Sequence, residues 1–415
     1  MSLETGAPPR TSLSVEEARR RILDTVSPIS GWERVAIRAA LGRVLVEDVI
    51  APCNVPAHDN SAMDGYALCA EGLPASSGEA VFEVIGSAFA GHGFSGIVGK
   101  GQAVRIMTGG VMPAGADSVV MQERVRIDGE RIITAADIRP GQNVRRAGED
   151  LAAGAVAIPR GKRVGPAELG LAASLGLAEL YVARRLRVAF FSTGDELASI
   201  GGPLAPGQVY DSNRYTLHGV LTRLGCELMD MGVVPDRPEA IEAAFRNAAA
   251  SSDVILTSGG VSVGDADFVR ELMGRLGEVD FWKIDIKPGR PMAFGRIGNT
   301  WMFGLPGNPV AVMVTYYQFV MDALLRISGL DPLPQRPLMP MPCATPIRKL
   351  TGRREYQRGW VFVENGAWKV RAAASQGSGI LRSMSEANCF IVLAEDRGDV
   401  APGDTVDVQL FDGLV

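Results

Sequence analysis

The sequence predicts a multidomain protein of the α/β-plus-β class, and three observations favour this class. The chain has 415 residues, which is more than a single hydrophobic core normally holds together. Residues 186–327 alternate between short apolar stretches and helical periods, as expected for a parallel sheet covered by helices on both faces. Residues 80–145 and 343–415 instead show short Val- and Ile-rich segments between Gly and Pro turns, which predicts β-rich domains.

Four domains are expected along the chain, and a proline-rich stretch at residues 331–342 separates the last one. The expected limits are 12–50 with 146–182 for a small α/β linking domain, 51–145 for an inserted β-rich domain, 183–330 for a parallel α/β domain, and 331–415 for a C-terminal β-barrel or sandwich.

Individual elements follow from local signals. Ser14 and Glu17 form a capping box that predicts a helix over residues 14–26. Pro166–Leu175 has a second short helical pattern. In the α/β region we expect strands at 188–192, 227–234 and 253–256 and helices at 213–224, 238–249, 267–276 and 309–327.

Composition excludes several classes of function. The net charge of −5 argues against a nucleic-acid coat. The five cysteines lack any CxxC spacing and the three histidines are scattered, so neither a structural zinc site nor a disulfide framework is predicted. This cysteine usage suits a reducing cytoplasm, and the N-terminus shows no apolar signal core.

Pro309–Leu325 is the stretch that most resembles a membrane span. It is slightly short for that role and contains Gln318 and Asp322, so a buried amphipathic helix is the better interpretation. We therefore expect a soluble protein with no membrane or nucleic-acid partner.

A glycine-rich segment, Thr257–Asp267 (TSGGVSVGDAD), follows the apolar run at 253–256. A strand, a glycine turn and a helix start together present backbone N–H groups to an anion. The acids Asp265 and Asp267 indicate a cation nearby. A plain strand-to-helix turn in which Asp265 caps the helix is the alternative, since such loops are weak motifs.

Three acids are expected where strands of the α/β sheet end: Glu196, Asp236 and Asp267. Each has an ordinary alternative, namely a solvated loop acid, a capping box of Asp236 with Glu239, and a helix cap. Together at one edge of a sheet, their carboxylates would suit Mg²⁺ held with a phosphate.

The cationic side is Phe281–Pro291 (FWKIDIKPGRP). If this stretch is one strand, its alternation places Lys283, Asp285 and Lys287 on one face before a Pro-Gly turn. The lysines could clamp an oxyanion, or they could form a solvated sheet edge. The GLPGNP turn at 304–309 then opens the long helix with outward N–H groups.

Four residues outside this region lie in predicted turns: Asp64, Thr108, Arg358 and Ser378. Nothing intrinsic to these turns distinguishes them from ordinary surface groups. Since no nucleophile–histidine pairing stands out, the residues favour electrostatic and metal-assisted work on a polyanion.

The motifs in this order resemble the molybdopterin molybdenumtransferase family, which includes bacterial MoeA and the E domains of its plant counterpart and of gephyrin. The matching segments cover nearly the whole chain: DNSAMDGYA, RIMTGG, NVRRAGEDL, FSTGDEL, SGGVSVGDAD, KPGRP, GLPGNPV, YQRG, QGS and CFIVL. The resemblance implies a MoaB/MogA-like α/β domain, a C-terminal β-barrel and an elongated homodimer. Its cleft would lie between the α/β and barrel domains of one subunit and the inserted domain of the other.

The implied reaction is insertion of molybdate into adenylylated molybdopterin, with Mg²⁺-dependent release of AMP. By resemblance, the residues divide into four groups. Pterin phosphate and AMP would be bound by Ser258, Gly259, Gly260, Ser262 and Gly264, with Pro306 and Pro309 also on the substrate. Mg²⁺ or the attacking group would be held by Glu196, Asp236 and Asp267. Molybdate and phosphates would be bound by Lys283, Lys287, Arg358 and Ser378. The partner chain would supply Asp64 and Thr108, with Asp150 a weaker candidate.

Two positions depart from the family pattern. Ala311 stands where related sequences often have a serine, and Asp285 stands where a small or apolar residue is expected, so we expect Asp285 to pair with a neighbouring cation. The alternatives are a molybdopterin adenylyltransferase, typically a single α/β domain, and a non-catalytic scaffold of the gephyrin E type. Transient contacts with an adenylyltransferase and with molybdoenzyme chaperones are also compatible with the resemblance.

Overall fold

The computed structural model describes residues 12–70, 78–89, 91–259 and 266–411, and for residues 266–270 it describes the backbone alone. Its first part contains the elements α1 (Val15–Thr25), β1 (Trp32–Ala36), a 3₁₀ helix (Ile37–Ala40), β2 (Val49–Ile50), β3 (Asn60–Ser61), β4 (Gly65–Leu68), β5 (Glu79–Ala88), β6 (Gln102–Ile106), β7 (Ser118–Met121), a 3₁₀ helix (Gln122–Arg124), β8 (Val125–Asp128), β9 (Arg131–Ala135), β10 (Val144–Arg145), β11 (Val156–Ile158), α2 (Pro166–Ser174) and β12 (Glu179–Ala183).

Two antiparallel pairs join the chain on either side of the inserted segment. β1 pairs with β12, and β2 pairs with β11. Between them, β4 to β9 form a six-stranded sheet in the order β7-β4-β6-β5-β9-β8. Leu45, Ile158 and Val182 are buried in the small core that the two pairs share with α2.

Helix α1 begins as its capping signal predicts, because the Ser14 hydroxyl accepts the backbone N–H of Glu17 at 3.1 Å. Its buried face does not pack on the small core around β1 and β12. Val15, Ala18 and Ile22 lie in the core of the α/β domain. Residues 12–50 are therefore divided between two packing units.

The α/β domain follows with β13 (Arg187–Thr193), β14 (Leu197–Ala198), β15 (Val209–Tyr210), α3 (Ser212–Leu224), β16 (Glu227–Val234), α4 (Pro238–Ser251), β17 (Val254–Ser258), α5 (Ala266–Leu276), β18 (Glu278–Lys283), β19 (Ile286–Lys287), β20 (Pro291–Ile297), β21 (Thr300–Leu305), α6 (Pro309–Thr315), a π-helical turn (Tyr316–Val320) and α7 (Met321–Ile327). Its sheet has the order β16-β13-β17-β21-β20-β18.

The expected all-parallel sheet is wrong at one edge. The first four strands in that order are parallel, but β20 runs antiparallel to β21, and β18 in turn pairs antiparallel with β20. Only two residues, Gly298 and Asn299, connect β20 to β21, and Gly298 has a φ of +59°. A two-residue turn can only return the chain antiparallel, since a parallel neighbour needs a crossover of about a dozen residues.

Both faces of this sheet are covered. Val188 and Phe190 of β13 point into the core under α3 and the long helix, whereas Ala189 and Phe191 point into the core under α4. The helical run Pro309–Ile327 is long and apolar enough to span a membrane by length and composition alone, but 89% of its most apolar window is buried inside the protein. It is the core helix that Gln318 and Asp322 predict.

The C-terminal part contains β22 (Met339–Pro342), β23 (Arg354–Glu364), β24 (Ala367–Ala372), α8 (Arg382–Glu386), β25 (Cys389–Leu393) and β26 (Thr405–Leu410). Its sheet has the order β19-β23-β25-β26-β22, and β24 also pairs with β23. A bridge between Cys343 and Val370 brings the segment after β22 against β24. Strand β19, from the α/β region of the sequence, therefore belongs to this second sheet.

Candidate active-site cleft

A cavity of about 1400 Å³ lies between the α/β domain and the C-terminal sheet. It opens at the carboxyl ends of the parallel strands, where α/β sheets commonly bind ligands. Its wall comprises Thr193, Gly194, Glu196, Leu197, Val209–Asn213, Asp236, Gly259, Lys287–Pro291, Pro306–Pro309, Ala311, Arg353, Glu355–Arg358 and Gln376–Gly379.

The glycine-rich segment starts at the base of this cavity. Gly259 has a φ of +90°, and a Cβ there would lie 2.5 Å from the carbonyl oxygen of Thr193. No side chain fits this position, so the backbone approach requires glycine. The predicted residues Gly260, Ser262 and Gly264 lie outside the described residues.

Asn213 ties two loops of the cavity together. Its Nδ2 donates to the Ser258 hydroxyl at 2.6 Å and to the Gly307 carbonyl at 2.7 Å. Asn213 is 6% exposed and belongs to the first turn of α3, which Asp211 caps through the Arg214 N–H. The predicted Ser258 is thus a buried anchor of the glycine segment.

The acids Glu196 and Asp236 both line the cavity and are exposed. The Asp236 N–H donates to Asp195 at 3.2 Å, which brings the loops after β13 and β16 together. Helix α4 has Arg237 as its N-cap with no side-chain cap, so the capping-box alternative for Asp236 is not realised. The side chain of Asp267 lies outside the described residues. Within 12–70, 78–89, 91–259 and 266–411, no three His, Cys, Asp or Glu side chains are grouped as metal ligands.

Arg358 lies in strand β23 and not in a turn as the sequence predicts, and from there it supplies positive charge to the cavity wall. It is 1% exposed; its Nε donates to the Ser383 hydroxyl at 3.0 Å and its Nη2 to the Gly377 carbonyl at 3.1 Å. Burial lowers the pKa of Arg358 to about 10, so the group remains a cation at neutral pH. Among the described residues no carboxylate forms an ion pair with it. A buried cation with neutral partners at a cavity wall suits a bound anion.

Lys287 stands beside Glu355 because β19 pairs in parallel with β23 at that register. Its Nζ lies 3.0 Å from Glu355 Oε1, and 51% of the Lys287 side chain is exposed. Lys287 therefore reaches the cavity from the same sheet as Arg358.

The expectation that Lys283 and Lys287 share one strand face is wrong. β18 ends at Lys283, which is exposed and does not line the cavity, and the chain then changes partners before β19. Leu13 forms the intervening contacts: its N–H donates to the Lys283 carbonyl and its carbonyl accepts the Asp285 N–H, both at 2.8 Å. Asp285 accepts the Ser12 hydroxyl at 2.7 Å, so its side-chain partner is a hydroxyl rather than the expected cation.

Ser378, Pro306, Pro309 and Ala311 lie on the cavity wall. The Ser378 carbonyl accepts the Val310 N–H at 3.0 Å, which satisfies a free donor in the first turn of α6. This bond joins the C-terminal domain to the α/β domain across the cleft.

Asp64 and Thr108 meet each other but lie away from the cavity of their own chain. The Thr108 N–H and hydroxyl donate to Asp64 Oδ1 at 2.7 and 2.8 Å, and these two bonds lower the pKa of Asp64. Asp150 is exposed, and its N–H donates to the Val55 carbonyl.

Sequence reasoning missed Asp211, Asn213, Glu355 and Gln357. Asp211 is 1% exposed and accepts the Ser192 hydroxyl at 3.0 Å; Glu355 and Gln357 are 4% and 7% exposed. A signal exists for the last two, because alternate positions of a strand carry polar residues where a core-facing strand would carry apolar ones.

Three family models match consecutive parts of the chain: "MoeA N-terminal region (domain I and II)" over residues 13–176, "Probable molybdopterin binding domain" over 189–326, and "MoeA C-terminal region (domain IV)" over 340–411. A Haemophilus influenzae protein named molybdopterin molybdenumtransferase is 41% identical over 405 residues, covering 97% of this chain and 100% of its own. This chain belongs to the molybdopterin molybdenumtransferase family. The resemblance inferred from the motifs is confirmed.

Other members of the molybdopterin molybdenumtransferase family extend the match. A Nostoc protein of that name is 34% identical, covering 91% of this chain and 88% of its own. The crystal structure of a molybdopterin biosynthesis moeA protein from Pyrococcus horikoshii OT3 superposes with a TM-score of 0.82 at 29% identity, covering 96% of this chain and 100% of that one. The predicted multidomain α/β-plus-β class is confirmed at this level.

Proposed function

We propose that this chain inserts molybdate into adenylylated molybdopterin and releases AMP, as an enzyme of molybdenum cofactor biosynthesis. Family membership supports the pathway and the transferase class. The single observation that carries the mechanism is that the two domains bring opposite charges to one cavity wall. Lys287 and Arg358 belong to the C-terminal sheet and, with Ser378, are called the cationic end; Glu196 and Asp236 follow β13 and β16 of the α/β sheet and are called the acidic end.

The cationic end fits a tetrahedral oxyanion. Arg358 is fixed by the Ser383 hydroxyl and the Gly377 carbonyl, so its position does not depend on the ligand. Lys287 adds a second, more mobile charge. Charge-assisted hydrogen bonds from such groups match the acceptor oxygens of molybdate.

The acidic end fits Mg²⁺. This cation commonly takes one or two protein carboxylates and completes its shell with water and substrate phosphate oxygens. Glu196 and Asp236 would supply those carboxylates, and Asp267 is the third proposed ligand. When bound, Mg²⁺ would neutralise charge on the phosphate anhydride. The residues of this chain would orient that anhydride, with the Gly259 backbone on the cavity wall beside the phosphate.

A homodimer in the cytoplasm is part of the proposal. Asp64 and Thr108 are joined to each other at the inserted sheet, outside the cavity of their own chain. In a dimer they would complete the cleft of the partner subunit. Transient contacts with an adenylyltransferase and with molybdoenzyme chaperones belong to the same proposal.

The adenylyltransferase and scaffold alternatives are less well supported. Relatives named molybdopterin molybdenumtransferase match nearly all of this chain, including the parts outside the α/β domain. A scaffold would have no need of the charged groups that converge on the cavity.

Molybdate-dependent release of AMP from adenylylated molybdopterin by the purified protein tests the proposal. We expect release with Mg²⁺ and its loss in Arg358→Ala. Arg371→Ala removes an exposed arginine from neighbouring β24 and should retain activity. No release by the unaltered protein with Mg²⁺ and molybdate present would contradict the assignment.

A further inference from the structure

The cationic end of the cavity contains a carboxylate that anion binding does not require. Glu355 lines the cavity beside Lys287 and is 4% exposed. A buried acid next to a proposed oxyanion site opposes the ligand it would face. The role of this acid must therefore be sought in its contacts with the other groups of the site. Because the oxyanion site is itself proposed, the role inferred for Glu355 rests on the proposed function.

Both oxygens of Glu355 are engaged. Oε1 lies 3.0 Å from Lys287 Nζ, and Oε2 accepts the Gln357 Nε2 at 2.8 Å. Gln357 lies two residues along the same strand, so its side chain shares the face of Glu355. The carboxylate is therefore held in place from two sides, whereas half of the Lys287 side chain is exposed and its ammonium group has Glu355 as its ion-pair partner.

The part of the cavity wall that the structure describes holds four cationic side chains, Lys287, Arg290, Arg353 and Arg358, and Lys287 and Arg358 differ in their partners. Arg358 has hydroxyl and carbonyl partners and no ion pair among the described residues, so its charge is uncompensated. Lys287 is already paired with Glu355. An anion that contacts Lys287 must come within a few ångströms of the carboxylate and compete with it for the ammonium group.

We propose that Glu355 is an internal competitor that sets the affinity of the site for tetrahedral dianions. An arriving oxyanion binds Arg358 first and gains Lys287 only by drawing it from Glu355. The repulsion between Glu355 and the ligand scales with the charge of the ligand, so a dianion is weakened more than a monoanion of the same shape. Glu355 acts through Lys287 and through charge, as a specificity-determining positioning residue that keeps the oxyanion exchangeable.

Titration calorimetry on the full chain tests this, with sodium molybdate, sulfate and perrhenate as probes. Glu355→Gln keeps the shape and an acceptor for Lys287 but removes the charge. We expect it to bind molybdate and sulfate about tenfold more tightly and perrhenate, a tetrahedral monoanion, only about threefold more tightly, since the Coulomb energy halves with ligand charge. A loosened or repacked pocket would not produce this ratio.

Two further variants keep the result interpretable. Glu355→Asp retains the negative charge, so it should not bind the anions more tightly. If it tightened their binding as much as Glu355→Gln does, the proposal would be overturned. Glu364→Gln is the control. Glu364 lies on β23, as Glu355 does, but away from the cavity, and it pairs with Lys369 of β24 at 2.7 Å. It should bind all three anions as the unaltered protein does.

The remaining outcomes separate this inference from the proposed function. If Glu355→Gln tightens no anion, or all equally, while Lys287→Ala weakens molybdate binding, Glu355 has no competitor role and the proposed oxyanion site stands. If Lys287→Ala and Arg358→Ala both leave molybdate binding unchanged, both proposals are overturned.

Discussion

At the scale of single residues, hydrogen bonds decide which charges stay available. Asp64 accepts both the N–H and the hydroxyl of Thr108, and its pKa is held below the ordinary aspartate value by those two bonds, the backbone one contributing more. The carboxylate consequently stays ionised to lower pH than an unbonded aspartate.

Thr108→Val removes only the hydroxyl bond. We expect the pKa of Asp64 to rise while staying below the ordinary value, because the backbone donor remains. Asp64 is then protonated at a higher pH. If activity requires the ionised carboxylate, the pH at which activity falls on the acid side of its profile also rises. NMR titration of the Asp64 carboxyl measures the shift. Thr222→Val, whose hydroxyl donates to the His218 carbonyl, is the control; an unchanged Asp64 in Thr108→Val would refute the expectation.

At the scale of elements, local signals predicted the helices well and strand partners poorly. The Ser14 cap, the strand Glu227–Val234 and the helix that ends at Leu224 all follow from residues close in sequence. The stretch from Lys283 to Lys287 also reads as one strand, but its two ends pair in different sheets. Strand pairing depends on distant segments, so alternation alone could not reveal the division.

The candidate site was predictable where a residue type has an unusual neighbourhood. Glu196, Asp236 and Lys287 line the cavity as their positions in the sequence suggest, and Arg358 lines it as the family resemblance alone implies. Asn213 was not predictable, because its function is to join loops that lie about 45 and 94 residues further along the chain. Such a role appears only once the sheet has brought those loops together.

Asn213→Ala should loosen both loops at once. It removes the donor to the Ser258 hydroxyl and the Gly307 carbonyl. Leaving the buried Ser258 hydroxyl without that partner costs roughly 1–3 kcal/mol, whereas the carbonyl of exposed Gly307 can bond to water. We expect a lower melting temperature and a larger fractional loss of AMP release, because Ser258 belongs to the glycine-rich segment. Asn247→Ala, on the exposed face of α4, should change neither. Full activity in Asn213→Ala would show that the loops hold without it.

At the scale of the whole molecule, a few long-range polar contacts join the packing units. Arg184 follows β12 and forms two 2.7 Å bonds to Asp253, which precedes β17. Arg19 of α1 donates to the Gln318 side chain at 3.0 Å on the long helix. Arg354 of the C-terminal sheet contacts Glu16 of α1 and Glu395.

The contact between Arg184 and Asp253 makes stability depend on pH. Burial opposes ionisation of Asp253, but the bonds from Arg184 and the Arg187 N–H outweigh it, so the pKa of Asp253 is lowered. Because its pKa is lower in the folded protein, ionised Asp253 stabilises the fold. This stabilisation is fully present above the pKa of an unfolded aspartate, about 3.9, and is lost as the pH falls through the pKa of the folded protein.

Asp253→Asn should therefore lower the melting temperature most at neutral pH, and the deficit should shrink below about pH 4. Melting curves of both proteins from pH 7 to pH 3 measure this. Asp24→Asn, in an exposed pair with Arg20, should show little difference at any pH. A deficit independent of pH would mean that packing, rather than charge, explains the loss.

The proposed dimer predicts complementation between inactive chains. If Asp64 serves the partner's cleft, a mixed dimer of Asp64→Ala and Lys287→Ala chains contains one intact site. Random exchange makes half of the dimers mixed, so activity should recover to about a quarter of the unaltered level. Subunit exchange followed by the AMP-release assay measures it. Activity that stays at the level of the separate variants would place Asp64 outside the partner's cleft.

The two residues of β19 have a mechanical consequence. The proline-rich linker, residues 331–342, connects the α/β and C-terminal domains covalently. Hydrogen bonds connect them again where Ile286 and Lys287 of β19 pair with Arg354 and Glu355 of β23. The Val310 N–H bond to the Ser378 carbonyl adds a further attachment, and Tyr356 and Phe390 share one buried core with Phe319 of the long helix. Separating the cleft walls where β19 pairs with β23 must break the strand pair that carries Lys287, which couples access to the cavity there to the position of that ammonium group.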